Sequence, residues 1–331
     1  HRDLHSFPTR RSSDLIDFYN TWYVPNNMAL ILVGDFQSEN VKPLIEKTFG
    51  RLQYKDLPER GQYTPRSFAG NPKKTYKIGY NPEVVWVYEG VNINDPDLIP
   101  LEVALALLNN GTNTGLLDKI TVDGVVTSAG AALDARRDCG RIIIEATPYY
   151  DVNQREFESF GATEKIIQKE IDKLREGNID DWLMEVVKNE SAQNNKLAFE
   201  STNIKVQNLI HCFIYQRPID DIFTELDKIL AVTKQDVQRV AKKYLSGDHL
   251  TLQFDEGTPK KNKLAKPNIK PLEPIQGVET EYSKQFKQIP ADRASDKFVD
   301  FNDVQVVNID RDVNLHYTLN PDNDIFSLTL D

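Results

Sequence analysis

Two stretches of the chain repeat one order of signals, and that repeat limits the fold more than any other feature. DFYNTWYVPNNMALILV, from Asp17, and DVQRVAKKYLSGDHLTLQF, from Asp236, both run from a helical pattern through an aromatic residue and a small polar turn into an apolar strand pattern. The register sets Tyr23 against Tyr244, 221 residues further on. That is far longer than the roughly 20–50 residues of a solenoid repeat and suits tandem homologous domains of about 220 residues each. A chain of 331 residues then holds parts of more than one such domain.

The pattern between the echoes is that of an α+β protein, with antiparallel sheets and helices packed on one face. Met28–Val33 is an apolar run behind Pro25-Asn26-Asn27 and reads as a buried strand. Ser38 then suits the N-cap of a helix carrying Val41, Leu44, Ile45 and Phe49 at helical spacing, with Pro43 early and Gly50 at its end. Residues 53–74 contain Pro58, Gly61, Pro65, Gly70 and Pro72 and read as an interdomain linker. A second unit over 75–255 opens with the strands YKIGY and VVWVYEGVNI, then a helix at 97–109, the loop NNGTNTG and a short helix at 116–120. GVVTSAGAAL and RIIIEATPYY read as antiparallel strands around Asp138-Cys139-Gly140. Helices are expected over 156–175, continuously over 180–213, and over 221–230 and 235–244. Residues 256–303, with five prolines and eight lysines, read as an extended linker, and VQVVNID, VNLHYTL and DIFSLTL as the opening strands of a third domain over 304–331.

Composition excludes several functions. The most apolar run, Ile99–Leu108, is short and interrupted by Glu102, so no membrane span is expected. A net charge of −10 provides no basic field for nucleic acid. Cys139 and Cys212 stand 73 residues apart and read as two isolated buried thiols. His1–Leu15, HRDLHSFPTRRSSDL, lacks apolar periodicity and resembles a translated sequencing adapter, so 1–15 is set aside as an artefact and the natural N-terminal portion is expected to be missing. His1 and His5 therefore enter no site argument, and the remaining chain carries 37 basic against 48 acidic residues, or −11.

The search for chemistry finds no catalytic, cofactor-binding or metal-binding residue. Only His211, His249 and His316 remain, none within five residues of another, and neither H-E-x-x-H nor H-x-x-E-H occurs. A catalytic zinc needs three protein ligands and an open position for water, which this distribution does not offer. His211, in LIHCF, reads as a packed core residue; His249 and His316 read as surface residues of strands. Asp180-Asp181 and Asp220-Asp221 coincide with helix starts, where carboxylates offset exposed N–H groups. Gly111–Gly115 looks like a phosphate loop but lacks the G-K-[ST] ending and follows a helix.

FYNTWYVPNNMALILVGDF, followed by an amphipathic helix ending in TFG, resembles the end of the catalytic-type domain of the pitrilysin/insulinase zinc metallopeptidases. NDPDLIPLEVALALLNNGTNTGLLDKI and the helices at 153–245 resemble the second, inactive domain of that family, and VNLHYTLNPDNDIFSLTL the opening of its next half. The resemblance implies tandem mitochondrial-processing-peptidase-like domains. Residues 16–52 would be the remnant of the first, 75–255 the second, and 304–331 the start of the third. It also implies a parent that uses zinc to hydrolyse peptides, with its H-x-x-E-H helix and downstream glutamate in the missing portion and no cofactor in this fragment. The family's substrate-steadying arginine and tyrosine, seven residues apart, correspond here to Asp118 and Val125, which cannot do that work. The expected role is a non-catalytic chamber wall that encloses peptide substrates with the other half of the same chain. The alternative is a catalytically inactive structural or chaperone-like member. Trp22 and Tyr23 are expected to be packing residues, with Trp22→Ala costing ~3–5 kcal/mol if the ring is fully buried.

Overall fold

Alternation in EVVWVYEG turns Val84, Trp86 and Tyr88 to one side of a strand and Glu83, Val85, Val87 and Glu89 to the other, and the main sheet is organised around that division. The protein is described from a computed structural model, over residues 12–61, 65, 67–78, 81–258, 277–290 and 301–330. It divides into two units, His1–Pro259 and Lys260–Asp331.

The first unit opens with α1 (Ser12–Trp22), a 3-10 turn at Pro25–Asn27 and α2 (Ser38–Phe49). Next come β1 (Lys73–Lys77), β2 (Glu83–Gly90), α3 (Leu98–Leu108) and α4 (Leu116–Val122). The hairpin of β3 (Ser128–Ala135) and β4 (Gly140–Thr147) leads into a small ribbon of β5 (Tyr150–Asp151) and β6 (Glu156–Phe157). Five helices follow: α5 (Phe160–Glu176), α6 (Asp181–Glu200), α7 (Thr202–Tyr215), α8 (Asp221–Ala231) and α9 (Lys234–Tyr244), before β7 (His249–Asp255).

The sheet order is β1-β7-β2-β4-β3, antiparallel except that β7 runs parallel to β1. The last strand of the unit is thus inserted between its first two, and Trp86 lies level with Ile144 on one side and Thr251 on the other. α3, α4, α5 and α9 contact the sheet, and the core forms where they meet its Trp86 face. Trp86, Tyr88, Ile142 and Ile144 are fully buried there against Leu101 and Leu107 of α3, Ile167 and Ile171 of α5, and Val237 of α9.

Local signals explain the helix ends. The Ala162 N–H donates to Ser159 Oγ at 3.2 Å to start α5, and Gly177 closes it in the left-handed region at φ 75°. α9 begins with a reciprocal box in which the Asp236 N–H donates to Thr233 Oγ1 and the Thr233 N–H to Asp236 Oδ2. Asp97, at the N-cap of α3, is buried and accepts from Arg239 Nη1 at 2.6 Å, Lys243 Nζ at 2.8 Å and Tyr244 Oη at 2.8 Å, which fastens α3 to α9.

Several expectations are corrected. Met28–Val33 forms no strand: no described strand flanks it, and Met28, Leu30 and Leu32 are exposed. Residues 180–213 are two helices, because Ser201 turns extended and its hydroxyl accepts from the Ile204 N–H to begin α7. Glu156 and Phe157 lie in β6, so the helix expected from 156 starts at Phe160. Tyr23 is exposed, stacked only on Tyr19 at 4.8 Å, and Trp22 is half-buried against Phe18. Neither has the enclosed environment that a 3–5 kcal/mol truncation requires. α1 reaches back to Ser12, inside the segment set aside; residues 1–11 lie outside the described residues.

The second unit contains α10 (Glu281–Lys287), capped by Thr280 within a stretch read as plain linker, and the hairpin of β8 (Gln305–Asp310) and β9 (Val313–Tyr317). DIFSLTL, read as a further strand, has no strand conformation.

Candidate functional site

The face of the sheet turned away from the helices carries a band of apolar side chains. Register places Val85 beside Leu252, and Val87 beside both Leu250 and Ile143. Phe254 adjoins Glu83 across the β2–β7 pair and stacks on Tyr76 at 6.0 Å. These side chains are half-buried or exposed, whereas their neighbours one residue away line the core. Glu145 stands level with Val85, so it and Glu83 place an acidic pair within the apolar band. Burial, and then the Glu145 charge, push the Glu83 carboxyl above its ordinary range.

The loop that resembled a phosphate cradle is closed by its own side chains. Asp118 Oδ2 accepts from the N–H groups of Asn110 and Gly115, both at 2.9 Å, and Asn110 Oδ1 from those of Thr112 at 3.2 Å and Thr114 at 3.1 Å. The Gly111 N–H donates to Glu190 Oε1 at 2.9 Å, and the Asn113 N–H to the Asn110 carbonyl. Each N–H from Asn110 to Gly115 is engaged, and two carboxylates occupy the space an anion would need. Asp118 is therefore buried as the centre of this loop, and Val125 is exposed beyond the end of α4.

The histidines are scattered over α7, β7 and β9. His211 is exposed and tilted against Tyr215 at 5.7 Å, because the helix turns its ring outward; it is not the packed residue that LIHCF suggested. His249 is half-buried on the helix-facing side of β7, with its ring 4.8 Å from Tyr88, in place of the expected surface position. His316 is exposed on β9. Cys212 is buried and Cys139 is partly exposed, so only one of the thiols read as buried is so. Asp181 lies in the first turn of α6 and Asp221 in that of α8; neither Asp180 nor Asp220 makes a side-chain cap. Among the described residues no three His, Cys, Asp or Glu side chains form a group able to hold a metal, so this donor set does not fit zinc. Among the described residues no helix is long and apolar enough to cross a membrane.

Two carboxylates are strongly perturbed, Asp97 at the junction of α3 with α9 and Glu102 on α3. Burial alone would raise Asp97, but hydrogen bonds from Lys243, Arg239 and Tyr244 outweigh it and hold the carboxyl at about 2. Glu102 on α3 is pushed up to about 7 by burial and then by the Glu225 charge, with Arg217 opposing. In the sequence Asp97 is only the first residue of a helical stretch and Glu102 an interruption in an apolar run, because the partners that shift both lie more than 100 residues away.

The first unit is an α+β domain, a five-stranded sheet backed by helices on one face and apolar on the other, and among its described residues no group able to hold a metal is assembled. The model of the peptidase M16 inactive domain matches residues 12–191, and the chain belongs to that family. No curated relative matches the sequence. Among solved structures, a protease from Helicobacter pylori is similar at 19% identity and TM-score 0.63, over 74% of this chain and 59% of that one. A peptidase M16 inactive domain from Pseudomonas fluorescens is similar at 15% identity and TM-score 0.63, over 77% and 60%. The first half of the periplasmic protease PqqL from Escherichia coli is similar at 16% identity and TM-score 0.58, over 74% and 55%. The chain thus spans between 55% and 60% of the length of these three solved proteins, and what it shares with them is the fold.

Proposed function

We propose that this chain is the non-catalytic, chamber-forming part of a zinc metalloendopeptidase that hydrolyses peptides. The observation that carries the reading is the uncovered apolar face of the five-stranded sheet in a chain of the M16 inactive-domain family. An extended peptide confined against Val85, Val87, Ile143, Leu250 and Leu252 would lose water from its apolar side chains without meeting a reactive group. In this reading 16–52 ends a first, catalytic-type domain, 53–74 links it to the second domain at 75–255, and 256–303 leads to a third domain beginning at 304. Zinc, supplied by the preceding domain, would polarise the peptide carbonyl and activate water; the residues of this chain bind and enclose the peptide.

The test is to recover the natural coding sequence before Ile16 and assay its product. An H-x-x-E-H helix with a later glutamate, and chelator-sensitive peptide hydrolysis, is the expected result. An intact gene without those residues, giving a product that cleaves nothing, would overturn the peptidase reading in favour of a structural or chaperone-like member. Metal analysis of the present chain should find no stoichiometric zinc, and one tightly held zinc per chain would place the site wrongly.

A further inference from the structure

In a chain of net charge −10, four arginines line one pocket. Arg136 and Arg137 stand in the β3–β4 turn, Arg141 lies at the start of β4, and Arg60 comes from the crossing segment after α2; together with Pro65, one carboxylate, Asp138, and Cys139, Ile214 and Tyr215 they surround a cavity of about 360 Å³. Two of the four charges are met: Arg136 Nε donates to Asp134 Oδ1 at 2.5 Å, and Arg60 Nη2 lies 3.5 Å from Asp138 Oδ2. The other two have neutral partners. Arg137 Nη2 donates to the Gln216 amide oxygen at 2.7 Å, and the Arg141 guanidinium lies over the Phe68 ring at 5.1 Å. Glu89 and Asp134 stand level with Arg141 on the neighbouring strands, yet no described carboxylate comes within 4.0 Å of Arg137 or Arg141.

We infer that this pocket binds the carboxylate of an acidic side chain on an extended peptide. Guanidinium groups hold carboxylates through paired, planar N–H donors, and here two forks with no described carboxylate within 4.0 Å face one cavity in which arginines outnumber the single acidic lining residue four to one. Pro65 and Ile214 give the cavity apolar wall for the aliphatic stem that carries the charge. The Arg136 N–H donates to the Cys139 carbonyl at 2.8 Å, so the turn spends this amide on itself, and recognition falls to side-chain forks suited to a planar carboxylate. The assignment narrows the chamber-wall reading, on which it rests, to peptides bearing Asp or Glu.

Cys139 in the pocket wall is partly exposed and reports on it, whereas Cys212 is buried. In the full chain, labelling of Cys139 by a sulfonate-bearing and a trimethylammonium-bearing methanethiosulfonate is followed by peptide mapping, with each rate normalised to that of a free small thiol. The anionic reagent is expected to react about tenfold faster, with the preference collapsing at high salt. Arg137→Gln with Arg141→Gln should equalise the two reagents. Arg136 is exposed, so Arg136→Gln alone, with a smaller fall in the ratio, serves if the double variant does not fold. A glutamate-bearing peptide should slow labelling, and its glutamine counterpart should not. Charge-blind labelling, equal protection by both peptides, or protection by inorganic phosphate at lower concentration than by the acidic peptide overturns the assignment. Labelling does not depend on hydrolysis, so a parent that cleaves nothing refutes the peptidase reading and leaves the pocket result standing.

Discussion

Replacing Glu102 by Gln should stabilise the protein at neutral and alkaline pH. Glu102 sits on α3 between Leu101 and Val103, both buried, and its charge is opposed by Glu225, which Arg217 Nη2 approaches at 3.1 Å. The folded-state pKa is raised from 4.5 to about 7, so between these values the folded chain holds a proton that the unfolded chain has released. The stabilising contribution of this group is complete below pH 4.5 and is lost as pH rises through about 7; at ~1.4 kcal/mol per unit the loss is at most about 3.5 kcal/mol. Gln fills the same volume and never ionises. Urea unfolding, followed by the fluorescence of fully buried Trp86, should therefore show wild type losing about 2–3 kcal/mol more than Glu102→Gln between pH 4.5 and 8. Parallel pH profiles for the two proteins would refute the reasoning and return Glu102 to the status of an ordinary hydrated carboxylate.

Asp97→Asn should cost ~1–2 kcal/mol at pH 7, discounted because Arg239 and Lys243 are half-exposed. Because the Asp97 pKa is depressed, that stability is present above 3.8 and lost as pH falls through about 2, where the two unfolding curves should meet. Gly140→Ala should lower stability by ~2–3 kcal/mol, since an added Cβ would stand 1.8 Å from the Val91 carbonyl oxygen, and a neutral result in thermal unfolding would show that β4 can shift. Asp118→Ala should cost ~1–3 kcal/mol and speed amide exchange at Asn110 and Gly115, whose N–H groups it accepts; unchanged exchange would show that Asn110 alone holds the loop.

Much of the first unit was readable because its signals are local. Alternation placed β2 and β4, the apolar stripes at helical spacing placed the bodies of α5 and α9, and Gly177 ended α5, while the Ser159 and Thr233 caps that set where those helices begin went unread. What stayed hidden depends on contacts distant in sequence. Thr75 meets Gln253 across the parallel pair, Asp97 meets Lys243, and Arg137 meets Gln216. The arginine pocket is of this kind: its members come from residues 60, 136, 137 and 141, and only the path of β3 and β4 past the end of α7 makes them one feature. The break at Ser201 was legible as a Ser-Thr cap, but the apolar residues on either side continue the helical spacing and masked it.

The two echoing segments show what separates a strand signal from a strand. Both carry a helix, an aromatic residue, a polar turn and an apolar run, yet β7 lies in a sheet and residues 28–33 do not. β7 is hydrogen-bonded on both edges, to β1 and β2, so its backbone N–H and C=O groups are met on both sides and its alternate side chains reach the core. The earlier run has no described strand beside it, and Met28 at 55% and Leu30 at 53% exposure remain in water. Apolar content alone cannot order a single extended segment, because the hydrogen bonds that repay fixing its backbone come from neighbours. The difference between the copies therefore lies in what surrounds them: two neighbouring strands meet the backbone of β7, and no described strand meets that of residues 28–33.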